Sequence, residues 1–441
     1  MSRTNLRETK GWEMSELAII DQDRIAVKVE YYDDNEKKKL SVYPTADEIE
    51  RIISGGLDVP TSEFLTYYLF HRKRPGMAGW RNYDEVSRKV HRALIDLKDF
   101  VGFNGNSIFV PPAVNSQVRH ITEQIGESVG LSVVNRLHDL TAADWTRIPE
   151  LRGREAPPVF DYEIAASDGK DIVQVETKGS SVDDNRRKSG PIHTHKAKIA
   201  QKKSKIIARV LEDKYPFKAD VRYGTITAID RRQDGILKCW LVDPDPNHKK
   251  TNPKKLRLLN RISFLRDWIS FLGPRSALAA TISTRLVALE SLANPFELDG
   301  VPLRRGNNEP FEIIPFDMTG RHSTWLANKS RVTDGPAGGS LLQLSEGWLF
   351  FLGIREDLLV LASSQDFRKI LEYRATVGQM TKIIRCVLSE SRFHKFRLPE
   401  EISESARKVG NYYHFDLEGQ IHYSQEGIVF GLLSLGASSE L

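Results

Sequence analysis

The chain is poor in cysteine, with only Cys239 and Cys386 among 441 residues. Two so widely separated thiols lack metal-ligand spacing, which excludes a thiolate zinc site. So sparing a use of cysteine makes the cytoplasm the expected compartment. Long apolar runs are also missing. No stretch approaches the ~18 uncharged apolar residues of a membrane helix, so no membrane is expected among its partners. The opening MSRTNLRETKGWEM has no apolar core and does not read as a signal peptide. No internal repeat or low-complexity tract is visible. What is present is an ordinary globular composition, 40% apolar and 28% charged with 30 Gly and 20 Pro. That excludes a coiled-coil rod, a collagen-like chain and a largely disordered chain. At roughly 100–200 residues per domain the length predicts two to four domains, ample for a core without disulfide or metal staples.

The net charge of +5 says little, but its distribution says more. From Asp171 to Asn260 there are 21 Lys/Arg against 11 Asp/Glu, and the rest of the chain compensates. A sustained basic segment suits a polyanion, because each neutralised phosphate releases counterions. A single lysine run would be only a solvated helix face.

The text divides into three regions, an α+β or α/β multidomain chain. Residues 1–112 open with strand-like LAIID and RIAVKVEYY, the second alternating with period two. In YDEVSRKVHRALIDLKDF, Val86, Val90, Leu94 and Leu97 recur at helical spacing. Arg88, Lys89 and Arg92 decorate its other faces. VGFNGNSIFVPP then reads as a hairpin about Asn104-Gly105-Asn106, residues that tolerate the positive φ of a tight turn. A basic helix followed by a hairpin outlines a winged helix, in which these three cations would contact DNA. A structural helix is the alternative.

Residues 113–248 begin with a helix carrying Val118, Ile121, Ile125 and Val129 on one stripe and ending at Gly130. LSVVNRL, VFDYEIA and DIVQVETKG follow as strands, the last two joined by a turn at Asp168-Gly169. A basic helix from about His195 to Glu212 and the strands YGTITAID and ILKCWLVDP complete the order α-β-β-β-α-β-β, a mixed sheet flanked by helices. Residues 249–441 form an α+β accessory domain. It opens with the helix KLRLLNRISFLRDWISFLG and is divided by a loop at DGPAGG. GWLFFLGI and LLVLAS then read as a hairpin, and YYHFDL and QIHYS as a closing strand pair. No chemical motif stands out there.

The chemistry lies in Asp161, Glu176 and Lys178. In DIVQVETKG, period two sets Gln174, Glu176 and Lys178 on one face and Val173, Val175 and Thr177 on the other. Counting pairs from the Asp168-Gly169 turn puts Asp161 opposite Glu176, at roughly 4.5–5.5 Å between Cβ atoms. Two adjacent carboxylates repel, and a divalent cation removes that conflict. Mg²⁺ takes oxygen ligands, one or two carboxylates plus substrate phosphate, polarises the phosphate and activates a water. Lys178 would orient that water or offset charge on the phosphorane.

Asp161, fourteen intervening residues, then Glu176-Thr177-Lys178 resembles the PD-(D/E)xK nuclease superfamily, the restriction-endonuclease-like fold. The resemblance covers the middle region. It implies Mg²⁺-dependent hydrolysis of DNA phosphodiesters, with Mn²⁺ able to substitute, Asp161 and Glu176 as metal ligands and Lys178 as the catalytic lysine. The chain departs from the family at Phe160, which stands where proline is usual. Many members add a Glu or Gln from the helix before the sheet; Glu127 is the first choice here and Glu123 the second.

Beyond Lys178, a Gly-, Ser- and Asp-containing loop runs to about Pro191, and the helix after it carries Lys196, Lys198, Lys202, Lys203, Lys205 and Arg209. In the nuclease reading these cradle the phosphate backbone, and Gln201 sits where the family often places a polar residue. His193 and His195 would face one way on a strand and could bind Zn²⁺, but no third ligand is evident, so a phosphate contact or plain loop is the favoured reading. Trp80, Trp145, Trp240 and Trp348 are expected in the core. The leading expectation is a Mg²⁺-dependent DNA endonuclease of restriction or antiviral defence, a context given by analogy alone. The alternatives are a non-catalytic DNA-binding protein with an inactive nuclease-like fold, and an RNA-processing nuclease. DNA is the expected partner, and a homo-oligomer is compatible with the sequence.

Overall fold

The computed structural model describes residues 22–70, 74–77, 80, 82–111, 118–149, 158–165, 169–217, 219–242, 252–273, 276–304, 307–309, 323–327, 337–345, 347–394 and 398–435. The chain begins with β1 (Arg24–Tyr31), α1 (Asp34–Leu40), α2 (Ala46–Gly55), β2 (Leu57–Pro60), α3 (Thr61–Phe70), α4 (Tyr83–Phe100) and the hairpin β3 (Gly102–Asn104) and β4 (Ser107–Phe109). Next come α5 (Val118–His138), β5 (Trp145–Arg147), β6 (Tyr162–Ala165), β7 (Ile172–Val182), α6 (Gly190–Leu211), β8 (Val221–Asp230) and β9 (Lys238–Val242). The last part includes α7 (Pro253–Leu272), α8 (Ala277–Ser291), β10 (Ser323–Ala327), β11 (Ala337–Ser345), β12 (Trp348–Arg355), α9 (Glu356–Ser364), α10 (Phe367–Glu372), β13 (Gly378–Ser389), β14 (Arg407–Val409), β15 (Tyr412–Tyr423) and β16 (Ile428–Ser434).

A seven-stranded mixed sheet runs in the order β2-β1-β9-β8-β7-β6-β5. Its β7–β8 and β1–β9 pairs are parallel. Helix α5 covers one face, where Ile121, Ile125, Val129, Val173 and Val175 are fully buried. Helix α6 covers the other through Ile192 and Ile199, packed with Ile226, Ala228 and Trp240. The two glycines of the α5–β7 contact permit a very close approach. A Cβ on Gly179 would lie 2.0 Å from the Thr122 carbonyl oxygen, and one on Gly126 would lie 2.5 Å from Gly179 Cα.

That contact corrects the helix end expected at Gly130. Helix α5 runs on through LSVVNRL to His138. Gly130 is there for space rather than as a cap, since a Cβ would meet Thr225 Oγ1 at 2.2 Å. The first strand of the α-β-β-β-α-β-β order is instead β5, antiparallel to β6. The boundary near residue 112 does not divide the sheets either, because β1 pairs with β9 and completes the sheet of the middle region. LAIID lies outside the described residues.

The second sheet is antiparallel, and β13 pairs with β15 as well as β10. The strands β10-β11-β12-β16-β15-β13 thus close into a six-stranded barrel, which leaves no free edge around the ring. Alternate residues serve two cores. Leu349, Phe351, Val429 and Leu433 pack into one cluster with Ile384 and Phe415. Phe350, Leu352, Phe430 and Leu432 join the large core that also holds Phe70, Trp268 and Val175. This ring corrects three expectations. LLVLAS is helix α9 rather than the second arm of a hairpin. YYHFDL and QIHYS are parts of the single strand β15. Gly338 and Gly339 of DGPAGG lie at the start of β11, and the segment's Asp334–Pro336 lies outside the described residues.

Helix α4 and the β3–β4 hairpin fall where the pattern predicted, with Val86, Val90, Leu94 and Leu97 buried and Gly105 at φ 54°. The helix packs on the barrel. The Tyr83 hydroxyl donates to the Leu341 carbonyl, and Ser87 Oγ donates to the Gln343 carbonyl at 2.6 Å. The hairpin is tied to the sheet, with Ala26 N–H donating to the Asn106 carbonyl at 2.8 Å and Leu237 N–H to Ser107 Oγ at 3.0 Å. Arg88, Lys89 and Arg92 are engaged within the helix itself, by the Asp84 carbonyl, Glu85 and Asp96 respectively. They form a charged helix face with pairs at i, i+4 spacing, away from the cavity described below. Trp80, Trp145 and Trp240 are buried and Trp348 is partly buried, all as core residues.

A buried ion cluster joins α7 to the first sheet. Asp144, in the short 3-10 turn Ala142–Asp144 before β5, is wholly buried. It meets Arg257 at 3.0 Å and Arg261 at 2.5 Å, both buried. Burial alone would push its carboxyl up. The two guanidiniums and the Thr141 backbone N–H outweigh that and hold it at about 2.

Candidate active site

Strands β6 and β7 pair Tyr162 with Val175, Glu163 with Gln174, Ile164 with Val173 and Ala165 with Ile172. Continued by one step, that register sets Asp161 against Glu176. Gly169, at φ 69°, lies in the connection between the strands. Asp161 follows the chain that leads into β6. Its own carbonyl accepts from Ile148 N–H at 3.1 Å, and its carboxylate accepts from Thr177 N–H at 3.3 Å. Two backbone contacts therefore fix the residue at the hairpin's end.

Glu176 is only 2% exposed, beneath the half-buried Lys178 and Asp161. Lys178 Nζ lies 2.5 Å from Glu176 Oε1 and 3.8 Å from Asp161 Oδ2. A second ammonium comes from α6: Lys202 Nζ lies 2.5 Å from Glu176 Oε2 and 3.7 Å from Asp161 Oδ1. Burial and the Asp161 charge push the Glu176 carboxyl up, against the pull of Lys178 and Lys202. Burial would push Lys178 down, but Glu176, Asp161 and Glu127 together raise it, so it stays charged.

The cluster lines a cavity of about 520 Å³ together with Glu127, Glu123, Arg119, Arg147, His195, Lys198, Gln201 and Lys205. Asp161, Glu176, Lys178 and Glu127, drawn from two elements and a loop, thus share one cavity. A second cavity of about 530 Å³ adjoins it, sharing Arg119, Glu123, Gly179, His195 and Lys198 and adding Arg231, Ser180, Ser181 and Thr194. Among the described residues, no group of three or more His, Cys, Asp or Glu side chains is arranged to hold a metal.

The lysines of α6 divide by face. Lys198, Lys202 and Lys205, at i, i+4 and i+7, line the cavity. Lys196 points elsewhere, to Glu36 at 2.5 Å and Asp33 at 3.4 Å, and lies 4.8 Å from the Tyr32 ring centre. It fastens α6 to the N-terminal segment and does not line the cavity with Lys198, Lys202 and Lys205. Lys203 does not line either cavity. The helix starts at Gly190, with Pro191 in its first turn, so His193 and His195 stand on a helix and not on a strand. Two residues apart on a helix, they diverge rather than sharing one face. His193 Nδ1 meets the Tyr32 hydroxyl at 2.7 Å, and His195 Nε2 meets Ser180 Oγ at 2.6 Å. Burial and the neighbouring Lys178 and Lys198 charges push His195 down to about 4, so it is neutral near pH 7.

The role of Lys202 beside the carboxylates was missed from sequence. Its signal was the i, i+4, i+7 lysine stripe flanking the buried Ile192, Ile199 and Ile206. No protein-family model, curated protein or solved structure matches this chain.

Proposed function

We propose that the chain is a Mg²⁺-dependent DNA endonuclease, a phosphodiester hydrolase of the PD-(D/E)xK type, working in the cytoplasm in restriction or antiviral defence. The observation that supports this most is the register of β6 and β7, which sets Asp161 against Glu176 with Lys178 on the same cavity wall. The α-β-β-β-α-β-β order about that hairpin agrees with it.

The donor set fits a hard divalent cation. Four carboxylate oxygens of Asp161 and Glu176 converge on positive charge, here two ammonium groups. Asp161 and Glu176 would hold Mg²⁺, which when bound supplies phosphate polarisation and an acidified water. Lys178 presents fixed positive charge at the floor of the cavity, where charge builds on the phosphorane. Glu127 contributes a third carboxylate to the cavity that Lys178 lines. Lys198, Lys205 and Arg119 line the walls and hold the nucleic-acid backbone in position.

Charge reversal at Lys198 and Lys205 should therefore weaken DNA binding. It should also reduce the salt slope by about one log unit per lost phosphate contact, read by fluorescence anisotropy over a salt series. Lys196→Ala should leave that slope unchanged. Equal effects at the two faces would contradict the division of the helix.

The closely paired carboxylates and lysines also favour a second reading, a static salt-bridge network in an inactive DNA-binding relative. Single-turnover cleavage by saturating Lys178→Ala separates the two. The nuclease reading expects a fall of about 10²–10³-fold with DNA binding retained, because Lys178 acts on charge that exists only in the transition state. Lys178→Arg should recover only part, since a planar guanidinium does not reproduce a point charge. A Lys178→Ala enzyme that cuts at the wild-type rate would favour the static network.

A further inference from the structure

We propose that Lys202 is a second catalytic cation of this site, placed to neutralise the oxygen that departs when the phosphodiester breaks. The inference rests on the nuclease reading and goes beyond the Glu-x-Lys motif, which contains one lysine only.

The geometry is a nearly symmetric quartet. Each ammonium touches one oxygen of Glu176 at 2.5 Å, Lys178 at Oε1 and Lys202 at Oε2. Each also lies near one oxygen of Asp161, Oδ2 at 3.8 Å for Lys178 and Oδ1 at 3.7 Å for Lys202. The two lysine side chains are equally exposed to the cavity, 26% each, over a glutamate that is 2% exposed. They come from different elements, Lys178 from β7 and Lys202 from α6. A phosphate held at the carboxylate pair would thus have an ammonium available at two separate places.

In-line displacement at phosphorus has two ends, an attacking oxygen and a leaving oxygen. On the Lys178 side Glu127 lines the same cavity, next to Gly126 of α5, which packs against the Lys178–Gly179 backbone; this anionic neighbour suits an attacking water about to lose a proton. Lys202 belongs to the stripe with Lys198 and Lys205, where the cavity wall is cationic and can stabilise emerging negative charge. The water oxygen forms its bond to phosphorus, and the bond from phosphorus to the leaving oxygen breaks. The leaving oxygen carries off the electron pair beside the Lys202 ammonium and takes a proton from solvent. The attacking water's proton passes to solvent.

A substrate with sulfur in place of the leaving bridging oxygen tests this, because a thiolate leaves without needing neutralisation. In Mg²⁺, Lys202→Ala should cut ordinary DNA about 10²-fold more slowly than wild type in single turnover. It should cut the sulfur-bridged DNA within a few-fold of the wild-type rate, on the order of full rescue. Lys178→Ala should remain slow on both. Thermal melting and DNA binding in Ca²⁺ establish that the variants fold and bind, and Lys202→Gln serves should the alanine variant melt early. Wild-type cleavage of ordinary DNA by the Lys202 variants, or equal slowing on both substrates, would overturn the role of Lys202 alone. A wild-type protein that cuts neither substrate would overturn the nuclease reading and this inference with it.

Discussion

Asp161→Ala is expected to abolish Mg²⁺-dependent cleavage, by several orders of magnitude, while folding and DNA binding stay close to wild type. The size follows from the proposed dependence: polarised phosphate and activated water would both require the cation, and Asp161 would be one of its two carboxylate holders. Folding is spared because the side chain is 30% exposed and its backbone partner is a single N–H at 3.3 Å, a contact worth roughly 1 kcal/mol. Binding is spared because Lys198, Lys205 and Arg119 remain on the cavity walls. Cleavage of labelled DNA, circular dichroism and anisotropy read the three quantities separately. Asp161→Ala cutting near the wild-type rate would remove this residue from the chemistry.

The second large effect concerns stability. Asp144→Ala leaves Arg257 and Arg261 buried without their carboxylate and should cost roughly 3–5 kcal/mol, read by urea unfolding. The pH dependence has a definite sign. The folded carboxyl titrates at about 2, below its ordinary 3.8, so its stabilisation is fully present above pH 4. It is lost as the pH falls through about 2. The shift corresponds to roughly 2 kcal/mol. Asp144→Asn should therefore lie well below wild type at pH 7 and approach it as the pH falls toward 2. A constant gap between the two proteins across that range would show that the charge is not what matters. Because Arg261 also donates to the Ile370 and Tyr373 carbonyls, this loss should loosen the packing of α7 against α10.

The hairpin of the candidate site was legible in sequence because its determinants are local. A Gly-containing connection, Val173 and Val175 alternating with Gln174 and Glu176, and a count of residues suffice to set Asp161 against Glu176. The α4 stripe and the β3–β4 hairpin are local in the same sense. Elements with distant partners were not legible. β1 reads as a strand, but nothing near it in the chain says that it pairs with β9. The barrel strands carry apolar residues on both faces because they feed two cores, so period two is erased in WLFFLGI. Gly130 illustrates an ambiguity of residue type, since a glycine that ends a helix and one that admits a neighbour at 2.2 Å look alike in text. Lys196 and Lys202 look alike too, and only the packing of α6 sends one to Glu36 and the other to Glu176.

The most direct test of the account is the nicking of supercoiled plasmid by the purified wild-type protein in Mg²⁺ and in EDTA, with an RNA of similar length alongside. Conversion of supercoiled to open-circular and linear DNA is expected in Mg²⁺ or Mn²⁺, with none in EDTA and little cleavage of the RNA. Plasmid bound but left supercoiled at every metal concentration would contradict it and assign the Asp161–Glu176–Lys178–Lys202 quartet to a structural role.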